Sequence, residues 1–183
     1  MIYPITIYGH PVLREKTKDI DKDYPGLPQL IDNMFKTMYN ADGIGLAAPQ
    51  IGLPIRIFVV DLSVLADRDP AFEGFKKVFI NPVITERSPE TESCEEGCLS
   101  LPGINETVVR PVTIRIQYLD ENLKENEEEY SSYFARVIQH EYDHLEGKLF
   151  IDHISPIRRQ MNKGKLTGMT KGKVKCHYNI KTT

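Results

Sequence analysis

The chain has no tryptophan, only three cysteines, and no apolar run near the ~18 residues of a membrane-spanning helix. Cys94, Cys98 and Cys176 are an odd number in a chain whose start, Met1-Ile2-Tyr3-Pro4-Ile5, lacks the basic and long apolar stretches of an export signal. A disulfide framework is therefore not expected, and free or metal-bound thiols fit better, in a chain that stays in the cytoplasm. The glycine-rich stretch Asp42–Gly52 has no G-K-[ST] ending, so it does not read as a phosphate loop. No internal repeat of ~20–50 residues is visible. Acid is missing from the end of the chain. Residues 153–183 carry eight Lys and Arg and no Asp or Glu, a balance of +8, whereas residues 1–152 carry 15 against 26, a balance of −11.

What remains is an ordinary globular composition: 183 residues, 40% hydrophobic and 27% charged, with a mean hydropathy of −0.35. That length suits one domain with a real core. The apolar spacing of Leu27, Leu30, Ile31, Met34, Phe35 and Met38 predicts an amphipathic helix within Pro25–Asn40. Ile55–Leu62 and Val78–Ile84 read as strands, with Pro82 favouring an edge or a bulge. Val112, Ile114, Ile116 and Tyr118 alternate with polar residues, predicting a half-buried strand that turns back at Asp120-Glu121-Asn122 into Leu123–Tyr130. A short helix is expected around Pro156–Gln160, and the alternation of Val174, Cys176, Tyr178 and Ile180 suits a final strand.

The chemistry concentrates in Gln139-His140-Glu141-Tyr142-Asp143-His144-Leu145-Glu146-Gly147, which reads as the last turns of a helix stopped by glycine. Residues four apart share a helix face, so His140 and His144 can direct their imidazoles at one metal ion, with Glu141 beside it as a proton carrier. Tyr133 and Val137 continue the histidine stripe, and Phe134, Ile138 and Leu145 form the adjoining apolar one. Ser132, Arg136, Gln139, Asp143 and Glu146 form a narrow polar strip, expected to lie open to water. Ser131 or Ser132 is placed to cap this helix. A catalytic metal of this type takes a third protein ligand. His10 sits in a Gly-His-Pro turn and suits a local structural role, and His153 falls on another face. Cys98, beside Gly97, fits best of the three, although for an isolated cysteine the favoured reading is a small buried hydrophobe, as for Cys94.

Three segments, Gly43-Ile44-Gly45-Leu46-Ala47-Ala48-Pro49-Gln50, Glu96-Gly97-Cys98-Leu99-Ser100 and Gln139–His144, resemble in order the signature motifs of the peptide deformylase family. Gly9–Arg14 and Asn81-Pro82 are also similar to it. H-E-x-x-H by itself would equally suit a zincin-type metallopeptidase; the other two segments would not. The resemblance implies an α+β fold in which antiparallel and mixed sheets wrap a central metal-binding helix. It further implies a catalytic domain over residues 1–160, followed by a basic tail at 161–183. By similarity Cys98, His140 and His144 bind one divalent metal ion, Fe(II) in the cell, with zinc, nickel or cobalt as substitutes. The resemblance makes Glu141 the proton shuttle, and gives the Gln50 amide and the Leu99 backbone N–H the charge that develops on the formyl oxygen. Ile44, Gly45, Tyr133 and Val137 would line the methionine site. The implied substrates are N-formylmethionyl nascent peptides, acted on by a monomer that binds neither DNA nor membrane. Such substrates emerge from a surface dense in RNA phosphates, so the basic tail is a candidate for ribosome attachment.

Overall fold

The computed structural model describes residues 1–182. A short strand, Ile5–Thr6 (β1), precedes helix Leu27–Asn40 (α1) and strands Gly45–Ala47 (β2), Ile57–Asp61 (β3) and Lys76–Arg87 (β4). Two hairpins follow, Thr91–Gly97 (β5) with Asn105–Pro111 (β6), and Thr113–Leu119 (β7) with Glu125–Ser131 (β8). Helix Ser132–Leu145 (α2) comes next, then Pro156–Met161 (α3), Lys163–Thr170 (α4) and Ile180–Lys181 (β9). Strands β2-β3-β4-β7-β8 form one antiparallel sheet, β5 and β6 stand apart, and β9 pairs parallel to β1.

Strand alternation explains why α2 is central. Every residue of β3 is buried. Ile57 and Val59 pack with Leu30, Met34 and Met38 of α1, while Phe58 and Val60 pack with Val137, Ile138 and Leu145 of α2. The sheet is thus covered by a helix on each face, and the β5–β6 hairpin closes over α2 from its other side. The expected α+β arrangement around one helix is what forms. Pro82 sits in an interior strand, where β4 shifts register between Ile80 and Val83 against β7. Asn81 takes a positive φ of 50° there, and its side chain accepts from Ile20 N (2.9 Å) and donates to Ile20 O (2.8 Å).

Four expectations need correction. Neither serine caps α2 with its hydroxyl: Ser131 stands at the N-cap but its Oγ is bonded to Thr113 Oγ1 (2.9 Å), and Ser132 has a φ of 56°. Beyond the exposed Ser132 the polar strip of α2 does not open to water, because Arg136 and Gln139 are buried and Asp143 and Glu146 are half-buried. The β5–β6 hairpin covers it with counter-charges and carbonyls. The presumed strand over 174–180 contracts to Ile180–Lys181; Val174 and Ile180 pack on one apolar cluster and Tyr178 on another, so the alternation serves side-chain packing rather than a ladder. The basic tail, from which only a final strand was expected, also contains α4. Gly147 does end α2, with φ 71° and its N–H donating to His144 O (3.3 Å). A Cβ there would lie 2.5 Å from Arg14 O.

Candidate metal and catalytic centre

Helix periodicity puts His140 and His144 one turn apart with ring centroids at 5.2 Å. The third donor comes from the turn after β5, closed by Leu101 N–H donating to Cys98 O (3.0 Å). Cys98 Sγ lies 3.4 Å from His144 Nε2, and one donor atom from each of Cys98, His140 and His144 falls within 4.8 Å of the others. His10 and His153 are elsewhere: His10 Nδ1 accepts from Val12 N (3.2 Å), and His153 Nε2 meets Asp143 Oδ2 (2.8 Å). Cys94 and Cys176 are not in the cluster.

Behind the donors stands a buried charge network that sequence reasoning missed. Glu96 Oε1 meets His140 Nδ1 (2.8 Å) and accepts from Arg110 Nη2 (3.0 Å); Oε2 accepts from Arg110 Nε (2.6 Å) and Arg136 Nη1 (2.8 Å). Arg110 continues to Asp143 Oδ2 (2.8 Å). Burial disfavours the Glu96 carboxylate, but the bonds from His140 and Arg110 prevail and hold its pKa well below the usual range. With Nδ1 engaged, His140 has Nε2 free for a metal, an outer-shell arrangement usual for metal-binding imidazoles. One thiolate and two imidazoles, oriented by a carboxylate, fit a divalent transition-metal ion. The sequence signal for Glu96 was its place in Glu96-Gly97-Cys98, but nothing local indicated the arginines.

The ionisable groups of the centre are shifted in opposite directions. Burial opposes a charge on His140, yet the bonds to Cys98 and Glu96 raise its pKa well above the ordinary value. Burial, reinforced by the neighbouring His140, pushes His144 down to about 3. Glu141 is driven up to about 7 by burial, with Glu96 adding to the rise and His140 opposing it. Its Oε2 is buried without a partner. Gly45 passes so close that a Cβ would lie 2.5 Å from Glu141 Oε1, which explains a glycine at this position of β2.

A cleft of about 680 Å³ opens in front of these groups. Ile44, Gly45, Tyr133 and Val137 all line it, as do Gln50 and Leu99. Gln50 is oriented from both ends: its Oε1 accepts from Ala47 N (2.9 Å) and its Nε2 donates to Ser100 Oγ (3.1 Å), 3.5 Å from Cys98 Sγ. Among the described residues β2 ends the five-stranded sheet and β5 pairs only with β6, which leaves two strand edges open beside the cleft.

A buried H-E-x-x-H helix with a facing cysteine, at the foot of a cleft flanked by strand edges, defines an amide hydrolase of the metal-dependent class. The family model described as polypeptide deformylase matches residues 2–160, and the chain belongs to that family. It is 50% identical to the peptide deformylase of Christiangramia forsetii over 99% of this chain and 96% of that one, and 49% identical to that of Flavobacterium psychrophilum over 99% and 97%. The crystal structure of the Thermus thermophilus peptide deformylase superposes with a TM-score of 0.84 at 40% identity, covering 94% of this chain and all of that one. That of Legionella pneumophila gives 0.81 at 37% identity, with 93% and 96% covered.

Proposed function

We propose that this hydrolase removes the formyl group from N-formylmethionine at the start of newly made polypeptides, using one divalent metal ion held by Cys98, His140 and His144. The observation that carries the reading is the convergence of those three donors beside the buried Glu141, whose Oε2 has no partner. Fe(II) suits a thiolate–bis-imidazole set, and zinc, nickel and cobalt suit it as substitutes. A metal bound there supplies Lewis acidity, polarising the formyl oxygen and lowering the pKa of water.

The chain's own groups do the rest. Glu141, poised near neutrality, takes the proton of the attacking water and delivers it to the departing amine. A C–O bond forms as the formyl C–N bond breaks, giving formate and a free amino terminus. The Gln50 amide and the Leu99 N–H stabilise the negative charge on the formyl oxygen. Ile44, Tyr133 and Val137 offer the methionine side chain an apolar wall, while Gly45 lines the site and leaves room for the Glu141 carboxylate. The following residues lie extended between the open edges of β2 and β5.

The test is formate release by Fe(II)-loaded protein, prepared without oxygen, from formyl-Met-Ala but not from unformylated peptides. Amino-acid release without formate would replace this reading by a zincin-type peptidase. The proposal further takes residues 1–160 as the catalytic domain, working as a cytoplasmic monomer. Among the described residues no helix is long and apolar enough to cross a membrane.

The basic tail, residues 161–183, supports attachment to ribosomal RNA phosphate, but not all of its cationic neighbourhood is free for it. Arg158 is bonded to both oxygens of Glu106 (2.9 Å each), and Lys165 Nζ donates to Gly103 O (3.2 Å). Lys163, Lys171 and Lys173 are exposed. Co-sedimentation with ribosomes is expected to weaken steeply with salt, and to drop when Lys163, Lys165, Lys171 and Lys173 become Ala, without change in hydrolysis of a free formyl dipeptide. Unchanged co-sedimentation at low salt would rule the attachment out.

A further inference from the structure

The end of the chain reaches the catalytic cleft. After α4, residues 173–179 run without regular structure past the mouth of the cleft, where Lys175, His177 and Tyr178 join its lining. The run is then anchored: Ile5 N donates to Asn179 O (2.8 Å), Ile7 N to Lys181 O (3.1 Å), and Ile180 pairs with Ile5. Just before these anchors the half-buried Tyr178 reaches the turn after β5, and its hydroxyl donates to Leu99 O at 2.7 Å. An exposed polar contact, His177 Nε2 with Asp42 Oδ2 (3.1 Å), lies beside it.

Leu99 stands at a mechanically sensitive place. The Cys98–Leu101 turn carries both a metal donor and the N–H assigned to the developing oxyanion, and each of its peptide planes can rock unless its polar atoms are held. Leu101 N–H closes the turn on Cys98 O. Ser100 is held twice, its carbonyl accepting from Tyr8 N (2.8 Å) and its hydroxyl from Gln50 Nε2. The Leu99 carbonyl is held from the tail, by the Tyr178 hydroxyl. Only the φ and ψ of Leu99 separate that carbonyl from its own N–H, so holding one plane restricts the other. Burial raises the phenol pKa, so Tyr178 stays a donor throughout the working pH range.

We propose that Tyr178 is a positioning residue for deformylation, acting through the Leu99 carbonyl to fix the turn that presents the oxyanion-stabilising N–H. The proposal rests on the deformylase reading above. It makes the C-terminal segment part of the active-site architecture, although the motifs of the family end well before it.

The test is Tyr178→Phe, which removes one oxygen and keeps the ring against Leu99. In Fe(II)-loaded protein, kcat for formyl-Met-Ala is expected to fall roughly tenfold with KM within about twofold, the order of effect one neutral hydrogen bond carries. In Zn(II)-loaded protein, amide exchange of Leu101, which closes the turn, is expected to quicken by a similar factor. Lys181→Ala removes an exposed side chain of the same segment outside the cleft and should change neither readout. An unchanged kcat and exchange rate in Tyr178→Phe would overturn the proposal. So would a raised KM at constant kcat, which would make the tail a substrate wall, and so would loss of folding, which would make the hydroxyl a support of the whole fold. If wild-type protein released no formate, the deformylase reading would fail, while the exchange rates would still decide whether Tyr178 holds the turn.

Discussion

Glu96→Gln isolates the buried network behind the donors. The substitution keeps size and shape, but all four groups around the carboxylate are donors: His140 Nδ1, Arg110 Nε and Nη2, and Arg136 Nη1. An amide offers them one oxygen and turns its own NH2 toward the rest, so at least one pair of donors loses its acceptor in either orientation. Arg110 keeps Asp143, and Arg136 keeps the carbonyls of Val108 and Glu92, so neither guanidinium is stranded completely. Glu96 and both arginines are no more than 7% exposed at the side chain, and removing one partner from such a cluster costs about 3–5 kcal/mol. For a chain of this size that corresponds to a fall in Tm on the order of 10 °C. His140 also loses the carboxylate that orients its ring, so metal affinity should fall by about 10–100-fold. Thermal unfolding of metal-free protein separates the first effect from the second, which chelator competition measures on loaded protein. A Tm within a degree or two of wild type, together with unchanged metal affinity, would refute the claim that Glu96 stabilises the arginines and orients His140.

Three further outcomes follow from the geometry. Gly45→Ala drives a methyl group into the buried Glu141 carboxylate, so activity should fall by ~10² or more while metal content holds; full activity would mean that Glu141 can move without loss. Cys98→Ser should release metal far more readily in chelator competition, and equal retention would remove Cys98 from the donor set. In chelator-stripped protein, urea unfolding should show greatest stability between about pH 4.5 and 6.5. Within that window two slopes of opposite sign cancel: His144, depressed to about 3, loses stability as pH falls below 6.5, whereas Glu141, raised to about 7, loses it as pH rises above 4.5. Below the window His144 continues to lose, joined by Asp143, held at about 2 by His153 and Arg110 against the opposing effect of burial. Above it Glu141 and the raised His140 lose together. A monotonic rise from pH 4 to 8 would contradict these protonation states.

Local pattern in the sequence determined most of the elements and picked out Cys98, His140 and His144 as the candidate metal donors. The four-residue spacing of His140 and His144 is a property of any helix, and Gly147 ends this one wherever it packs. The apolar spacing of α1 and the alternation of β7 likewise depend on neighbours a few residues away. The three motifs in order sufficed to identify the family. Tertiary structure decided what no local window contains. The polar strip of α2 reads as a solvated face until β5 and β6 bring Glu96 and Arg110 against it from some thirty to forty residues earlier in the chain. Pro82 is compatible with an edge or a bulge, and only the placement of β4 between β3 and β7 selects the bulge. Tyr178 lies 79 residues from Leu99, on a tail whose periodicity suggested a longer strand. The charges of a buried network and the reach of a terminal segment are long-range pairings, and each side of such a pair looks ordinary until the fold brings its partner beside it.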